Sequence, residues 1–239
     1  MSQDAYGQML LDAFEHGSAV EIVEREDGFI SASQVGSELY LAPFRRWPSH
    51  HRQAMRFVRG RVLDIGAGGG RVAMHLQERG QAVVSIDVSP GAIEVCRRRG
   101  VKDARELGID DVDKSVGPID TIVMLGNNFG LFGSRARAKR LLRRFHRLTT
   151  ERGRIVAETR DVHDTDNPVH LGYQRRNVKR GRLPGQIRIR VRYGRAATPW
   201  FDYLMVSRDE LDDILDGTGW RLASTIDSDD MYVAVIDRV

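Results

Sequence analysis

Asp64 stands two residues ahead of Gly66 in RVLDIGAGGG, where Gly66, Gly68 and Gly70 alternate, and Asp87 lies near the end of the run QAVVSIDV further along. Glycines after an apolar, β-prone run let the backbone take positive φ and approach a ligand closely. The helix that follows presents unpaired N–H groups to the same place. A pyrophosphate would be repelled by Asp64, whereas a ligand carrying a cationic amino group would be held. The dinucleotide pattern G-x-G-x-x-G is not met from Gly66, because its sixth position is Arg71. Asp87, at a strand end, can accept two hydrogen bonds from a ribose diol. The ligand suggested by these residues is a nucleoside that also bears an amine.

This constellation resembles motif I of the class I S-adenosylmethionine-dependent methyltransferases. The resemblance extends over nearly all of residues 61 to 239 and implies S-adenosylmethionine as cofactor and S-adenosylhomocysteine as product. It also implies that Asp64 lies beside the methionine moiety and that Gly66, Ala67, Gly68, Gly70, Asp87 and Val88 surround the nucleoside. After the fourth apolar run comes LGNNFGLFG, residues 125–133, with more amides and glycines than a plain strand-to-helix connection needs. It looks like the corresponding segment of glycine N-methyltransferase-like enzymes, which implies that Leu125 and Gly126 back the sulfonium and Asn127 faces the methyl group. Asn128 departs from that comparison, which has a small hydroxyl residue there. The bland alternative is an Asn pair that holds a turn through side-chain to backbone bonds.

Methyl transfer gains much of its rate from alignment, and a base is needed only for a protonated amine or a hydroxyl. His163, in TRDVHDTDNP past the fifth strand, is the candidate base beside Asp161, with a loop-stabilising role as the alternative. The adenine contact after the third strand is left open among Asp103, Glu106 and Asp110. No His, Cys or Asp pair has supported metal-ligand spacing, so no metal is expected. The single cysteine, Cys96, sits among apolar helix positions and reads as packing.

The elements that must position these groups follow from periodicity. Residues 4–16 carry a helical apolar stripe ended by Gly17, and 18–44 read as irregular, with turn signals at Asp27-Gly28 and Pro43. A helix is expected after Trp47-Pro48, with Ser49 available to cap it. From residue 61, five strands alternate with helices, and Ser89-Pro90 and Ser207 with Glu210 mark helix starts. The expected fold is an α/β, doubly wound, Rossmann-like seven-stranded sheet. It is mostly parallel, with an antiparallel C-terminal strand and helices on both faces. Residues 1–58 are expected to form an N-terminal lid, with Tyr6, Tyr40 and Trp47 as pocket walls or ordinary core aromatics. Residues 59–239 form the core domain, with a β pair inserted within 161–206.

The 239 residues, 41% hydrophobic and 29% charged, suit one domain with elaborations. No apolar run approaches the ~20 residues of a membrane span, and MSQDAYGQ is not a secretory leader, so the expectation is cytoplasmic with no membrane partner. Residues 175–195 hold nine basic residues and no acidic one. On a strand, Arg188, Arg190 and Arg192 share a face, either as a solvated edge or as an anion-binding surface for RNA. The expected acceptor is the nitrogen or oxygen of a small molecule. Nucleic acid is not expected, and an RNA methyltransferase or a non-catalytic nucleoside binder are the alternatives.

Overall fold

The computed structural model describes residues 3–33, 35–229 and 231–239, without the side chains of 35–37. Helix α1 (Ala5–His16) is capped by Asp4, whose carboxylate accepts from the Gly7 N–H at 2.9 Å, and stops at left-handed Gly17. Its stripe of Met9, Leu10 and Ala13 is buried against Ala92 and Val95. Strands β1 (Glu21–Arg25) and β2 (Ile30–Ser33) then pair antiparallel, with Glu21 opposite Ser33. Helices α2 (Val35–Leu41) and α3 (Ser49–Ala54) follow. Pro48 takes the N-cap of α3, so Ser49 lies inside the helix and no side chain caps it.

The alternating part runs β3 (Val62–Ile65), α4 (Arg71–Glu78), β4 (Val83–Asp87), α5 (Pro90–Arg98), β5 (Ala104–Glu106), β6 (Ile119–Met124), α6 (Arg135–Leu148) and β7 (Thr149–Arg160). After it come α7 (Pro168–Lys179), β8 (Gln186–Tyr193), the short β9 (Ala196–Ala197), β10 (Phe201–Leu204), α8 (Arg208–Leu215), β11 (Trp220–Ser228) and β12 (Met231–Arg238). Ser89 caps α5 by accepting from the Ala92 N–H, and Ser207 with Glu210 closes a full capping box on α8.

Seven strands form one sheet in the order β11-β12-β7-β6-β3-β4-β5. The pairs from β7 to β5 are parallel, and β12 runs antiparallel to both β7 and β11. This is the expected Rossmann-like arrangement. Alternate residues point to opposite faces. Leu63, Ile65, Ile122 and Met124 pack with Phe132, Leu141 and Phe145. Val62, Val83 and Val123 pack with Trp47, Ala73 and Leu76 on the other face. Each such side chain contributes about 1.5–3 kcal/mol on burial. The sheet is therefore a rigid platform, with a topological switch beside β3 where ligands bind in this architecture.

The segment 18–44 is not irregular, and the 187–206 strands do not enter the main sheet. Instead β1 and β2 join β8 and β10 in a separate antiparallel sheet, ordered β10-β8-β1-β2. No helix among the described residues is long and apolar enough to cross a membrane.

Candidate functional site

The second sheet covers the carboxyl ends of β3, β4, β6 and β7, and the space between them is a cavity of about 1460 Å³. Asp64, Gly66, Ala67, Gly68, Asp87, Val88, Leu125, Gly126 and Asn127 all line it. Gly66 and Gly68 have φ of +73° and +52°, values that most side chains avoid. The Gly66 and Ala67 N–H groups donate to the Ile86 carbonyl at 2.9 and 3.0 Å, and the Gly68 N–H donates to Asp87 Oδ2 at 3.0 Å. The end of β4 thus pins the turn in shape. Asn128 Nδ2 braces it from the other side, donating to the Ile65 and Gly66 carbonyls at 3.1 and 2.9 Å.

Two buried oxygens facing this cavity have no hydrogen-bond partner among the described residues, Asp64 Oδ2 and Asn127 Oδ1. Such atoms are costly unless a ligand donor meets them. They suit a ligand that brings N–H or O–H groups. Burial pushes the Asp64 carboxyl up to about 7, against the opposing pull of Arg71. Burial also raises Asp87, although the Ser89 and Gly68 amides oppose it. For Asp64 the folded-state value lies above the ordinary one near 3.8, so its contribution to stability is full below about pH 4 and is lost as pH rises through about 7. Without ligand, the melting temperature should therefore fall more between pH 5.5 and 8 in the wild type than in Asp64→Asn. Parallel melting curves for the two proteins would remove Asp64 from this account.

The cavity wall also holds a buried charge network that no local sequence motif marks. Glu158, 1% exposed on β7, accepts at Oε1 from Nε2 of His50 and His51 at 2.8 and 2.6 Å. Its Oε2 accepts from the Gly126 and Asn127 N–H groups at 2.6 and 2.8 Å. Burial by itself would raise the carboxyl, but the bonds from His50 and His51 win and hold it well below the usual range. Arg71 Nη2 lies 3.1 Å from His51 Nδ1, and its guanidinium stacks on Trp47. A guanidinium only donates, so His51 Nδ1 accepts and the ring proton sits on Nε2, toward Glu158. The ligand-type atoms of His50, His51 and Glu158 lie within 4.8 Å of one another. A cation there would need the lone pair of His51 Nε2, and the Arg71 contact keeps that nitrogen protonated.

Other expected residues fall elsewhere. Gly70 lies outside the cavity lining, where an added Cβ would meet Val101 at 2.8 Å and Cys96 at 3.0 Å, so its role here is close packing. His163 is half exposed and faces Glu210 at 3.5 Å, while its neighbours Val162 and Asp164 line the cavity. The structure does not bring His163 to the other candidates. Tyr6 and Tyr40 do line the space, whereas Trp47 is buried under Arg71 and donates to the Ala42 carbonyl. Around β5, Asp103 is tied to Arg105 and Asp110 to Arg137 and Arg140, Glu106 ends the strand outside the cavity lining, and the residues that reach the cavity are Leu107 and Ile109. Cys96 is buried, and burial pushes its thiol up to about 12.

The basic strand β8 turns Ile187, Ile189 and Val191 to the cavity. On its other face Arg190 and Arg192 pair with Glu24 at 2.9 and 3.0 Å, and Arg190 stacks on Trp200. Those charges are largely satisfied within the protein, which does not favour a phosphate-tracking surface.

A family model described as a methyltransferase domain matches residues 62–153. A 2-heptyl-1-hydroxyquinolin-4(1H)-one methyltransferase of Mycobacteroides abscessus is 34% identical over 73 residues, which span 30% of this chain and 30% of that relative. A S-adenosylmethionine-dependent methyltransferase from Bacteroides fragilis, solved with S-adenosyl-L-homocysteine, superposes with a TM-score of 0.82 at 25% identity, over 99% of this chain and 95% of its own. The CcbJ methyltransferase of Streptomyces caelestis shares the fold at 14% identity and a TM-score of 0.64, over 100% of both chains. With an Asp-glycine turn and a second aspartate converging at the switch point of this sheet, the chain carries a methyltransferase domain match over residues 62–153 on the fold of the class I methyltransferases, and its cofactor is S-adenosylmethionine.

Proposed function

We propose that the protein transfers a methyl group from S-adenosylmethionine to a nitrogen or oxygen of a small-molecule acceptor bound under the second sheet. The observation that carries this is the pair of unsatisfied buried oxygens, Asp64 Oδ2 and Asn127 Oδ1, on the wall of one cavity that continues into an apolar chamber. When bound, S-adenosylmethionine supplies an electrophilic methyl carbon. Asp64 receives its amino group, the backbone of Gly66, Ala67 and Gly68 lies along it, and Asp87 accepts from the ribose diol with Val88 at the cavity mouth. Leu125 and Gly126 form the wall behind the sulfonium, and the Asn127 amide orients the reacting groups. The chamber beyond, walled by Ile187, Ile189, Val191, Phe201 and Met205, takes the acceptor and excludes water. The N-terminal segment acts as the lid. Asp4 joins it to the start of α5, accepting from the Ser89 hydroxyl and the Gly91 N–H at 3.0 and 2.9 Å. The partial match to a relative named for a small acceptor is consistent with this reading.

Calorimetric titration tests it. S-adenosylhomocysteine should bind in the low micromolar range and NAD should not. Asp87→Ala should weaken the former by about 1–3 kcal/mol, because the ribose hydroxyls lose a buried acceptor. Wild-type affinity in that variant would show that the ribose lies elsewhere.

A further inference from the structure

We infer that the acceptor carries a basic nitrogen and that Glu21 is the residue that receives it, an inference that rests on the methyltransferase reading above. Glu21 opens β1 and lines the chamber on the same strand face as Val23 and Arg25. Its carboxylate has one polar contact among the described residues, the Tyr40 hydroxyl, at 3.1 Å to the nearer oxygen. No Arg, Lys or His of the described residues lies within ion-pair distance. The nearest cation along the strand, Arg25, is engaged by Asp27 at 2.7 Å and stacks on Phe29 and Tyr173. Arg71 also lines the cavity, where its Nη2 contacts His51 and its guanidinium stacks on Trp47 while its Nη1 has no partner among the described residues, and it makes no ion pair with Glu21 among them. Glu21 is partly buried, and a carboxylate drawn out of water is normally paired with a cation or held neutral. Burial raises the Glu21 carboxyl, with only the Tyr40 bond opposing, as expected for a group whose charge partner is not part of the chain.

The surroundings specify that partner. Tyr6, Tyr40 and Tyr203 line the same region, with the Tyr6 and Tyr40 rings edge to face at 5.8 Å. Tyr203 spends its proton on the Asn127 carbonyl at 2.5 Å, so it presents its ring and no free donor. Aromatic faces beside a carboxylate attract an organic ammonium and disfavour an anion. Because Tyr203 joins the Asn127 segment to this group of rings, a nitrogen held by Glu21 lies toward the cofactor end of the chamber. The apolar wall of Ile187, Ile189 and Val191 then receives the remainder of the molecule. An ammonium N–H proton passes to a Glu21 carboxylate oxygen, which leaves the electron pair on nitrogen as nucleophile and a neutral acid that returns its proton to solvent.

The test uses protein saturated with S-adenosylhomocysteine and three matched probes, 1-naphthylmethylamine, 1-naphthylmethanol and 1-naphthoic acid, titrated by calorimetry and ligand-observed NMR. The amine should bind about tenfold tighter than the alcohol, and the acid should bind weakest. Glu21→Gln should bring the amine to the level of the alcohol while S-adenosylhomocysteine affinity stays within about threefold. Amine binding that does not exceed that of the alcohol, or that survives Glu21→Gln unchanged, overturns the inference. Should Glu21→Gln fail to fold, the ranking of the probes on the wild type decides. Failure of S-adenosylhomocysteine itself to bind the wild type would overturn the underlying methyltransferase reading instead.

Discussion

Glu158→Ala should lower the unfolding free energy by about 3–5 kcal/mol, the range for removing one partner of a buried charge network. Four donors lose their acceptor at once, the Nε2–H groups of His50 and His51 and the backbone N–H groups of Gly126 and Asn127. Arg71, already buried, also loses its largest compensating charge. The damage reaches the cofactor site through the backbone. Asn127 holds φ of 63°, a left-handed conformation that costs a non-glycine residue about 1 kcal/mol or more. The Glu158 bonds to Gly126 and Asn127 are what offset it. S-adenosylhomocysteine affinity should fall along with stability in this variant. Glu158→Gln keeps the shape but sets an NH2 group against one pair of donors, so it should lie between alanine and wild type. Urea denaturation followed by circular dichroism, with and without S-adenosylhomocysteine, reads both effects. A loss below about 1 kcal/mol for Glu158→Ala would mean that the network is an ornament of the fold.

That network was invisible in the sequence for a reason that recurs through the chain. Signals that act within a few residues were legible: the strand, glycine turn and helix of 62–78, the Ser89-Pro90 start of α5 and the capping box of α8. Contacts across long loops were not. Glu158 is 108 residues from His50, and nothing in RIVAETR separates a structural carboxylate from an exposed one. Strand β1 escaped for the same reason. EIVER has a weak alternation because its inner face carries Glu21 and Arg25 toward a polar part of the cavity, and its partner β8 lies more than 160 residues away. His163 shows the opposite case, in which residues adjacent in sequence to cavity-lining positions are not adjacent to the cavity in space. The Asp161 carboxylate accepts from the His163 N–H at 3.0 Å and turns the chain, so the imidazole leaves the cavity that the residues on either side enter. The alternating glycines form one motif in the sequence, yet Gly66 and Gly68 line the cavity while Gly70 packs against Val101 and Cys96.

That division of labour gives Gly68→Val and Gly66→Val the largest expected effect on the ligand. Both positions require a left-handed backbone, at φ of +52° and +73°, which a β-branched residue avoids. A Cβ on Gly68 would come within 2.9 Å of the Tyr6 hydroxyl, and one on Gly66 within 2.4 Å of Asn128 Nδ2. At Gly68 the obstruction lies between the turn and Tyr6 of α1, inside the space the proposal gives to the cofactor. At Gly66 the valine would displace the Asn128 amide that braces the turn through the Ile65 and Gly66 carbonyls. Saturating S-adenosylhomocysteine at about 100 times its Kd should stabilise the wild type by about 2.7 kcal/mol through mass action. It should leave the melting temperature of both variants unmoved. The ligand-free melting temperature separates the two causes, because Gly68→Val should stay folded through movement of the Tyr6 side chain, while Gly66→Val should also lose stability. Full ligand stabilisation of both variants would show that the turn is structural and that the cofactor is bound from another part of the cavity.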